Sequence, residues 1–583
     1  MGGICGWIGA GPGRRRGDQQ AMLRAMAHRG RISWLDWDAP EPLAIDSAFN
    51  PSGTVAAAWA TWIEDPEALP GRLEGSFAVA ALDRRRGTLL LARDPFGEKP
   101  LTYVATAEGV AFASETKALR AGGMMPSLSL SPEAIDAYLA FTYIPAPRTI
   151  FADAHKVPAG HCVRIDLRAL AAGAADAIQV TRWWKLPDRV GESADAEMMI
   201  RMLSEAVARR FPGSGPLAAY LSGGLDSSIV VALLSRERAG RVPTWSVAFK
   251  ESGLDESRHA RRVAALLGCD HHEILLEDVD PDLVTSIIDQ LDEPMSDAAT
   301  LPTWLLGRQA RGASPVVATG DGADALLAGD HWFRRLRRLD AIERLPGVVR
   351  AALPAVAALA GPRNYRRFRD LTALAEIPAA ERYLRLREKW SWEQRREFYA
   401  EGMRGRVDVS STEGSYLLAP VDWRSGDSVD AAIRLDTMHG LPEDLLMKAD
   451  KMGMAHGIES RSPFMDRRFA EWTARLELGL LLSGSSGKLL LKKAAETLLP
   501  GDLVHRRKHG FQVPVGRWMK GSLRSLTDAA FEPGRVVRQG IFYPAGMASL
   551  RARFERGPSS AALDGRVWQI VSFQTWWRRV FEP

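Results

Sequence analysis

An α/β chain in two parts is predicted by three features of this sequence. Residues 1 to about 165 carry short apolar runs broken by turn residues, the pattern of a β-rich unit. From about residue 197, strand-like and helix-like segments alternate, which builds a parallel sheet with helices on both faces. Two glycine turns, at 222–228 and 320–325, follow strand-like runs of that second part. Ligands of such sheets bind at the carboxyl ends of the strands.

In the first part, Thr88–Arg93, Leu101–Val104 and Val110–Ala113 read as strands, with Asp94-Pro95-Phe96-Gly97 turning the chain between the first two. Ala- and Gly-rich text at Leu167–Ala177 and polar text at Pro187–Asp195 read as a connector. Glu197–Phe211 is helix-like and opens the second part. There Leu217–Leu221, Val242–Phe249, Ile274–Leu276 and Pro315–Thr319 read as strands. Asp255–Leu267 is helical, because Ala260, Val263, Ala264 and Leu267 fall on one face. Pro302–Arg311 tolerates its proline in the first helical turn, where the missing N–H has no partner to lose. Beyond about residue 335 the text is largely helical.

Composition removes several function classes. The 46% hydrophobic and 25% charged residues exclude a disordered chain and leave material for more than one core. A net charge of +5 over 583 residues makes no case for a nucleic-acid binder. Cys5, Cys162 and Cys269 are too few for a disulfide framework or a Cys-rich zinc site. The apolar stretch Val349–Ala360 carries Arg350 and Pro354 and is too short to span a bilayer. Arg14–Arg16 follow the small apolar start instead of preceding an apolar run, so a secretory signal is not expected there. A cytoplasmic protein is the expectation.

Ser222-Gly223-Gly224-Leu225-Asp226-Ser227-Ser228 is the strongest chemical signal. Paired glycines let backbone N–H groups turn toward an anion, and a helix start with two hydroxyls adds donors for phosphate. Asp226 does not suit an anion site unless a magnesium ion bridges it to the phosphates. An ordinary strand-to-helix turn capped by serine would need only one of these residues. The string is not a Walker loop, because no Gly-Lys-Ser/Thr follows.

The loop resembles the pyrophosphate loop of ATP pyrophosphatases, and the chain is similar to the asparagine synthetase family over nearly its whole length. The strings YLSGGLDSSIVVALL, LDESRHARRVAALLG, VVATGDGADALLAGDH, GLPEDLLMKADKMGMAHGIESRSPFMD and KHGFQVPVGRWM resemble family signatures in family order. Upstream, ARDPFGEKPLTY, FASETKAL and PRTIFADAHKVPAGH resemble the family's N-terminal domain and its junction. The resemblance implies a trimmed Ntn-type αββα sandwich at 1–185 and an adenine-nucleotide α-hydrolase-like parallel sheet with added helices at 195–583.

It also implies a reaction. ATP and a carboxylate give an acyl-adenylate and pyrophosphate, and an amine then displaces AMP to form an amide. Asp226 and Asp324 match the family's magnesium-binding pair. Leu221, Val247, Thr319 and Gly320 fall where the family contacts adenosine, beside the loop residues Ser222, Gly223, Gly224, Ser227 and Ser228. Lys488 matches the catalytic lysine. Asp321 keeps a carboxylate where the family has its amine-activating base, while Ala325 has lost the neighbouring acid. Asp436, His439 and Glu443 are further candidates for the same cleft, the last two lying one helical turn apart if that stretch is helical.

The N-terminal half departs from the family. Glutamine-hydrolysing members expose an N-terminal cysteine whose own α-amine is the base. Here Cys5-Gly6-Trp7-Ile8-Gly9 is displaced inward, and removal of Met1 would expose Gly2. His28-Arg29-Gly30 survives, but the glutamine-holding strings between Arg31 and Arg72 are missing. Relatives of this kind, β-lactam synthetases and lasso-peptide cyclases, take the amine from the adenylated molecule itself. The expectation is therefore an ATP- and Mg2+-dependent amide ligase, favouring macrolactam formation on a ribosomal peptide. Such a system implies a leader peptidase and a leader-binding protein as partners, with no nucleic acid and no membrane. The aromatic residues Trp390, Trp392, Phe398 and Tyr399 would suit a peptide, though core packing accounts for most such residues. Two alternatives stand beside this: a glutamine-hydrolysing asparagine synthetase making asparagine from aspartate, or another amidotransferase, with a processed N-terminus that exposes Cys5; and an inactive scaffold or partner-binding protein.

Overall fold

A computed structural model describes residues 2–9, 18–36, 43–47, 69–238, 240–251, 255–359, 361–407, 421–423, 426–484, 486–506 and 512–582. Its first ten strands make two five-stranded sheets, and the next five make a third.

The first sheet runs β2 (Arg31–Asp36), β1 (Gly2–Gly9), β7 (Gly109–Ala113), β6 (Thr102–Thr106), β8 (His155–Lys156). The second runs β10 (Ile178–Arg182), β9 (His161–Asp166), β5 (Thr88–Arg93), β4 (Phe77–Asp83), β3 (Leu43–Ser47). Strand β1 shows why they stack. Its odd and even residues point to opposite faces, so Ile4 and Ile8 meet Phe112, Leu89 and Val163 in the core between the sheets. Cys5 and Trp7 point the other way, against Met22 and Leu119 of helices Gln19–Ala25 and Thr116–Ala121. Gly6 lets the strands close, because a Cβ there would lie 2.0 Å from the Leu35 carbonyl oxygen. The short helix Leu69–Arg72 packs with Phe77, Val79 and Leu90 beneath the second sheet. Helices outside two face-packed sheets are the trimmed αββα sandwich.

The third sheet is parallel, in the order β13 (Asp270–Leu276), β12 (Pro243–Phe249), β11 (Ala218–Tyr220), β14 (Val316–Ala318), β15 (Glu459–Arg461). The helix Leu225–Glu237 follows β11, Ser257–Leu267 follows β12, and Thr300–Ala310 precedes β14. Strand β15 returns from far down the chain, after a long helical region. Its text is short and polar, so no apolar run marks it.

One reading of the sequence changes. The Leu167–Ala177 connector instead contains a helical turn, Leu167–Ala171, and leads into β10, which pairs antiparallel with β9. In the aromatic group at 390–399, core packing accounts for Trp390, Phe398 and Tyr399, which are buried, while Trp392 is partly exposed. The Trp390 indole donates to Gln569 Oε1, and the Phe398 ring packs at a tilt against Phe542. Among the described residues no helix is long and apolar enough to cross a membrane.

Buried ion pairs join the sandwich to the helices around the third sheet. Arg29, fully buried, donates to Asp450 at 2.7 and 3.1 Å and to Glu115 at 2.9 Å. Lys99 approaches Asp450 at 3.4 Å, and Arg93 donates to Glu443 at 2.7 Å. Burial alone would raise the Asp450 carboxyl, but Arg29 and Lys99 outweigh it and hold the group below its ordinary value. Removing one member of such a set strands its partners as uncompensated charge. Arg29→Met should therefore destabilise the chain by about 3–5 kcal/mol, measured as a lowered denaturant midpoint. An unchanged midpoint would show that these pairs do not hold the two halves together.

Candidate active site

At the carboxyl ends of β11, β12 and β14 the chain encloses a cleft of about 880 Å³. The loop after β11 is closed by its own serines. Ser227 Oγ accepts from the Ser222 amide at 3.2 Å and meets Ser222 Oγ at 3.0 Å. Gly223 takes a positive φ of 69°, and a Cβ there would lie 2.5 Å from the Ala260 amide nitrogen. The second glycine turn packs directly on the first, since a Cβ on Gly320 would lie 2.7 Å from the Ser227 amide nitrogen. Leu221, Ser222, Gly224, Asp226, Ser227, Val247, Thr319 and Gly320 all face the cleft. Gly223 and Ser228 do not line it. Gly223 is spent on helix packing, and Ser228 is buried on the inner side of its helix.

Asp226 and Asp324 converge. Lys488 Nζ lies 2.5 Å from Asp226 Oδ2 and 2.6 Å from Asp324 Oδ1. The two carboxylates are thus separated by no more than one cation can span. Lys488 reaches them from a left-handed backbone, φ 56°, immediately before helix Leu489–Ala495. Only about one non-glycine residue in a few tens adopts that conformation, and here it turns the lysine into the cleft. Gly329 closes the back, where a Cβ would sit 2.1 Å from both Asp324 Oδ1 and Lys488 Cε. No third His, Cys, Asp or Glu joins this pair as a metal ligand among the described residues. That donor set fits Mg2+, which takes one or two carboxylates and completes its shell with phosphate and water oxygens.

Asp321 lines the same cleft, opposite Lys448. Burial pushes its carboxyl up, and the Lys448 charge and the Thr319 hydroxyl pull against it without prevailing. Lys448 is itself buried and paired with Asp297. Ala325 packs into the core rather than toward the cleft.

Asp436, His439 and Glu443 do not line the cleft. They sit on Asp436–Leu446, a wide π-type helix, so residues four apart make less than one turn. Asp436 accepts from the Tyr383 hydroxyl at 2.9 Å. Glu443 is held by Arg93 and, at 3.2 Å, by Lys156. Burial drives the His439 imidazole down to about 4, so it stays neutral. His439 and Glu443 face the N-terminal half, while Asp436 is tied to Tyr383 and Arg387 within the helical region.

Four basic residues escape sequence reasoning. Arg506 donates from Nε to the Gly223 carbonyl at 3.0 Å, pairs with Glu256, and lines the cleft beside the first loop. Arg334, Arg338 and Lys492 line it too. Arg506 lies two residues before the KHGFQVPVGRWM string, which would have been the clue; residues 507–511 lie outside the described residues.

Cys5 is distant from all of this in character. It is the fourth residue of β1, paired to Trp34 on one side and Ala113 on the other, and fully buried. Burial pushes its thiol up to about 12. Residues 2–4 are part of the same ladder, opposite Arg31–Ser33, and Arg29 Nε donates to the Gly2 carbonyl at 3.0 Å.

Residues 199–578 match the family described as asparagine synthase, and residues 52–184 match the glutamine amidotransferase domain. The chain belongs to the asparagine synthase family. It is 30% identical to the putative glutamine-hydrolyzing asparagine synthetase of Mycobacterium tuberculosis strain H37Rv, covering 87% of this chain and 76% of that one. To the glutamine-hydrolyzing asparagine synthetase 1 of Bacillus subtilis it is 28% identical, covering 84% and 77%. Among solved structures, the glutamine phosphoribosylpyrophosphate amidotransferase of B. subtilis is 11% identical over 48% of this chain and 61% of that one. Its TM-score of 0.16 is too low to argue from. Family membership makes this chain an ATP-dependent carbon–nitrogen ligase. The amidotransferase match begins downstream of Cys5.

Gly329→Ala tests the site geometry without touching a charge. The added methyl should force Asp324 and Lys488 apart and cut ATP-dependent pyrophosphate release by at least about tenfold, with the thermal midpoint little changed. Wild-type activity in that variant would mean the three groups need not meet. Separately, Cys5 should resist iodoacetamide at pH 8 in the folded chain and react once unfolded, as read by intact-mass spectrometry.

Proposed function

We propose that this ligase takes its amine from the molecule it adenylates, and that it closes a macrolactam on a ribosomal peptide. The observation that carries this reading is Cys5. Its backbone nitrogen is an amide inside a paired strand, so no α-amine is present to activate a thiol that burial already keeps protonated.

The steps are these. A substrate carboxylate attacks the α-phosphorus of ATP, forming the acyl-adenylate and releasing pyrophosphate. An amine of the same peptide then attacks the acyl carbon, and AMP leaves. Asp226 and Asp324 are the residues to hold Mg2+, which when bound neutralises charge on the leaving phosphates. The loop around Ser222 and Gly224 and the start of helix Leu225–Glu237 present backbone donors to the same phosphates. Lys488, beside both carboxylates, stabilises negative charge that develops as each bond to phosphorus or carbon rearranges. Asp321 accepts the proton that the amine sheds on attack. Tethering the amine to the acyl group replaces a bimolecular encounter, worth several kcal/mol in favourable geometry. A leader peptidase and a leader-binding protein would act alongside.

A second reading, asparagine synthesis from aspartate with glutamine as donor, is favoured by the names of the relatives. One assay separates them. The proposal expects ATP-dependent loss of one water from a candidate precursor peptide by mass spectrometry, and no glutamate released from glutamine. Glutamate release coupled to asparagine formation would establish the second reading instead.

Two variants assign the residues. Asp226→Asn should abolish pyrophosphate release. Asp321→Asn should keep it while slowing ring closure at least about a hundredfold. Because burial raises the Asp321 carboxyl above its ordinary 3.8, more of it is protonated as pH falls. The acid limb of the ring-closure rate should therefore lie above that value and vanish in Asp321→Asn.

A further inference from the structure

Residues 331–376 hold ten arginines against four carboxylates, a local excess larger than the net +5 of the whole chain. They form helix His331–Glu343 and a helical hairpin, Gly347–Ala358 with Pro362–Glu376. Two of the four carboxylates, Asp340 and Glu343, are taken up by Arg382. Arg335, Arg344, Arg363, Arg366 and Arg367 are exposed and pair with no carboxylate of the described residues.

Helix Gly347–Ala358 is apolar almost throughout, yet none of its residues is buried. Val348 is 85% exposed, and Leu359 just beyond the helix is 90% exposed. An apolar helix left in water marks a contact surface. The like charge around it disfavours a second copy of the same face. The arginine track does not stop at the hairpin. It continues along helix His331–Glu343, roughly 20 Å long, and ends with Arg338 and Arg334 inside the cleft, the latter donating to the Gly329 carbonyl at 3.0 Å. A flat bilayer could cover the hairpin but could not follow that track into a concave site.

We infer that the 347–376 hairpin and helix His331–Glu343 form a docking track for a peptide carrying acidic and apolar side chains. That peptide is the part of the substrate outside the cleft, so the inference rests on the peptide-ligase reading. Apolar side chains cover Val348, Val356 and Leu359, and carboxylates meet the arginines on the way to the cleft.

The probe is a short fluorescein-labelled peptide alternating Glu and Leu, followed by anisotropy with the full chain. It should bind, its Lys–Leu counterpart should not, and salt should weaken it. Both Val348→Ser/Leu359→Ser and Arg363→Glu/Arg366→Glu should weaken it by at least about tenfold. The ATP-induced rise in thermal midpoint, read in parallel, should be unchanged in both variants, showing that they fold and keep the nucleotide site. Unchanged peptide affinity in the variants, with ATP binding intact, would overturn the inference alone. So would hairpin-dependent binding to phosphatidylglycerol vesicles with no binding of the peptide. Failure of ATP to shift the parent chain would overturn the ligase reading and this inference with it.

Discussion

Two carboxylates held at one ammonium ion are the constraint on which this molecule turns. Asp226 opens one helix, Asp324 opens another, and Lys488 comes from a segment more than 160 residues beyond either loop's sheet partner β14. Like charges so close repel unless a cation sits between them. The lysine supplies that cation, and its unusual backbone conformation is the local expense of placing it there. Much of the surrounding packing serves the same end. Gly320 lets the two loops touch, Gly329 leaves room behind Asp324, and a Cβ on Gly487 would lie 2.1 Å from the Ala328 carbonyl oxygen. A site of this kind is prepared for a more highly charged cation and a polyphosphate.

The N-terminal sandwich buries its cysteine inside a paired strand. Strand β1 lies inside its sheet, between β2 and β7, and its first residues are integral to the ladder. The same half supplies Arg29, Arg93, Lys99 and Lys156 to acids carried by the helices around the third sheet. Deleting the sandwich would leave Asp450 and Glu443 as buried, uncompensated carboxylates. That penalty is reason enough for the domain to persist as a support for the synthetase half.

Much of this was legible beforehand, and the rest was hidden for identifiable reasons. Strands β5, β7, β11, β12 and β14 read correctly because their apolar runs are bounded by turn residues. The loop Ser222–Ser228 announced itself because its glycines have a conformational task, visible in the close approach of Gly223 to Ala260. Strand β15 was invisible, since Glu459–Arg461 gains its place from pairing to β14 and not from its own pattern. His439 and Glu443 were misplaced because four residues were counted as one turn on a helix that is wider than an α-helix. The cleft arginines were missed for a similar reason. Arg334 and Arg338 sit in a run of arginines that reads as a solvated helix face until the fold turns one end of that helix into the site.

In the proposed reaction the amine reaches Asp321 through the open cleft. Ammonia made at Cys5 would instead have to cross the contact between the two halves. At that contact lies a polar chamber of about 20 Å³, lined by Glu98 and Lys99 of one half and Asp450 and Asp321 of the other. It has room for about one water molecule. Burial pushes the Glu98 carboxyl up to about 7 although Arg210 pulls it down. Asp450 nearby is held ionised by Arg29 and Lys99. Ammonia that took the proton of the Glu98 carboxyl would be held beside ionised Asp450 as ammonium, which cannot attack an acyl group. An amine that enters through the open cleft, already bonded to the molecule being activated, meets none of these groups before Asp321.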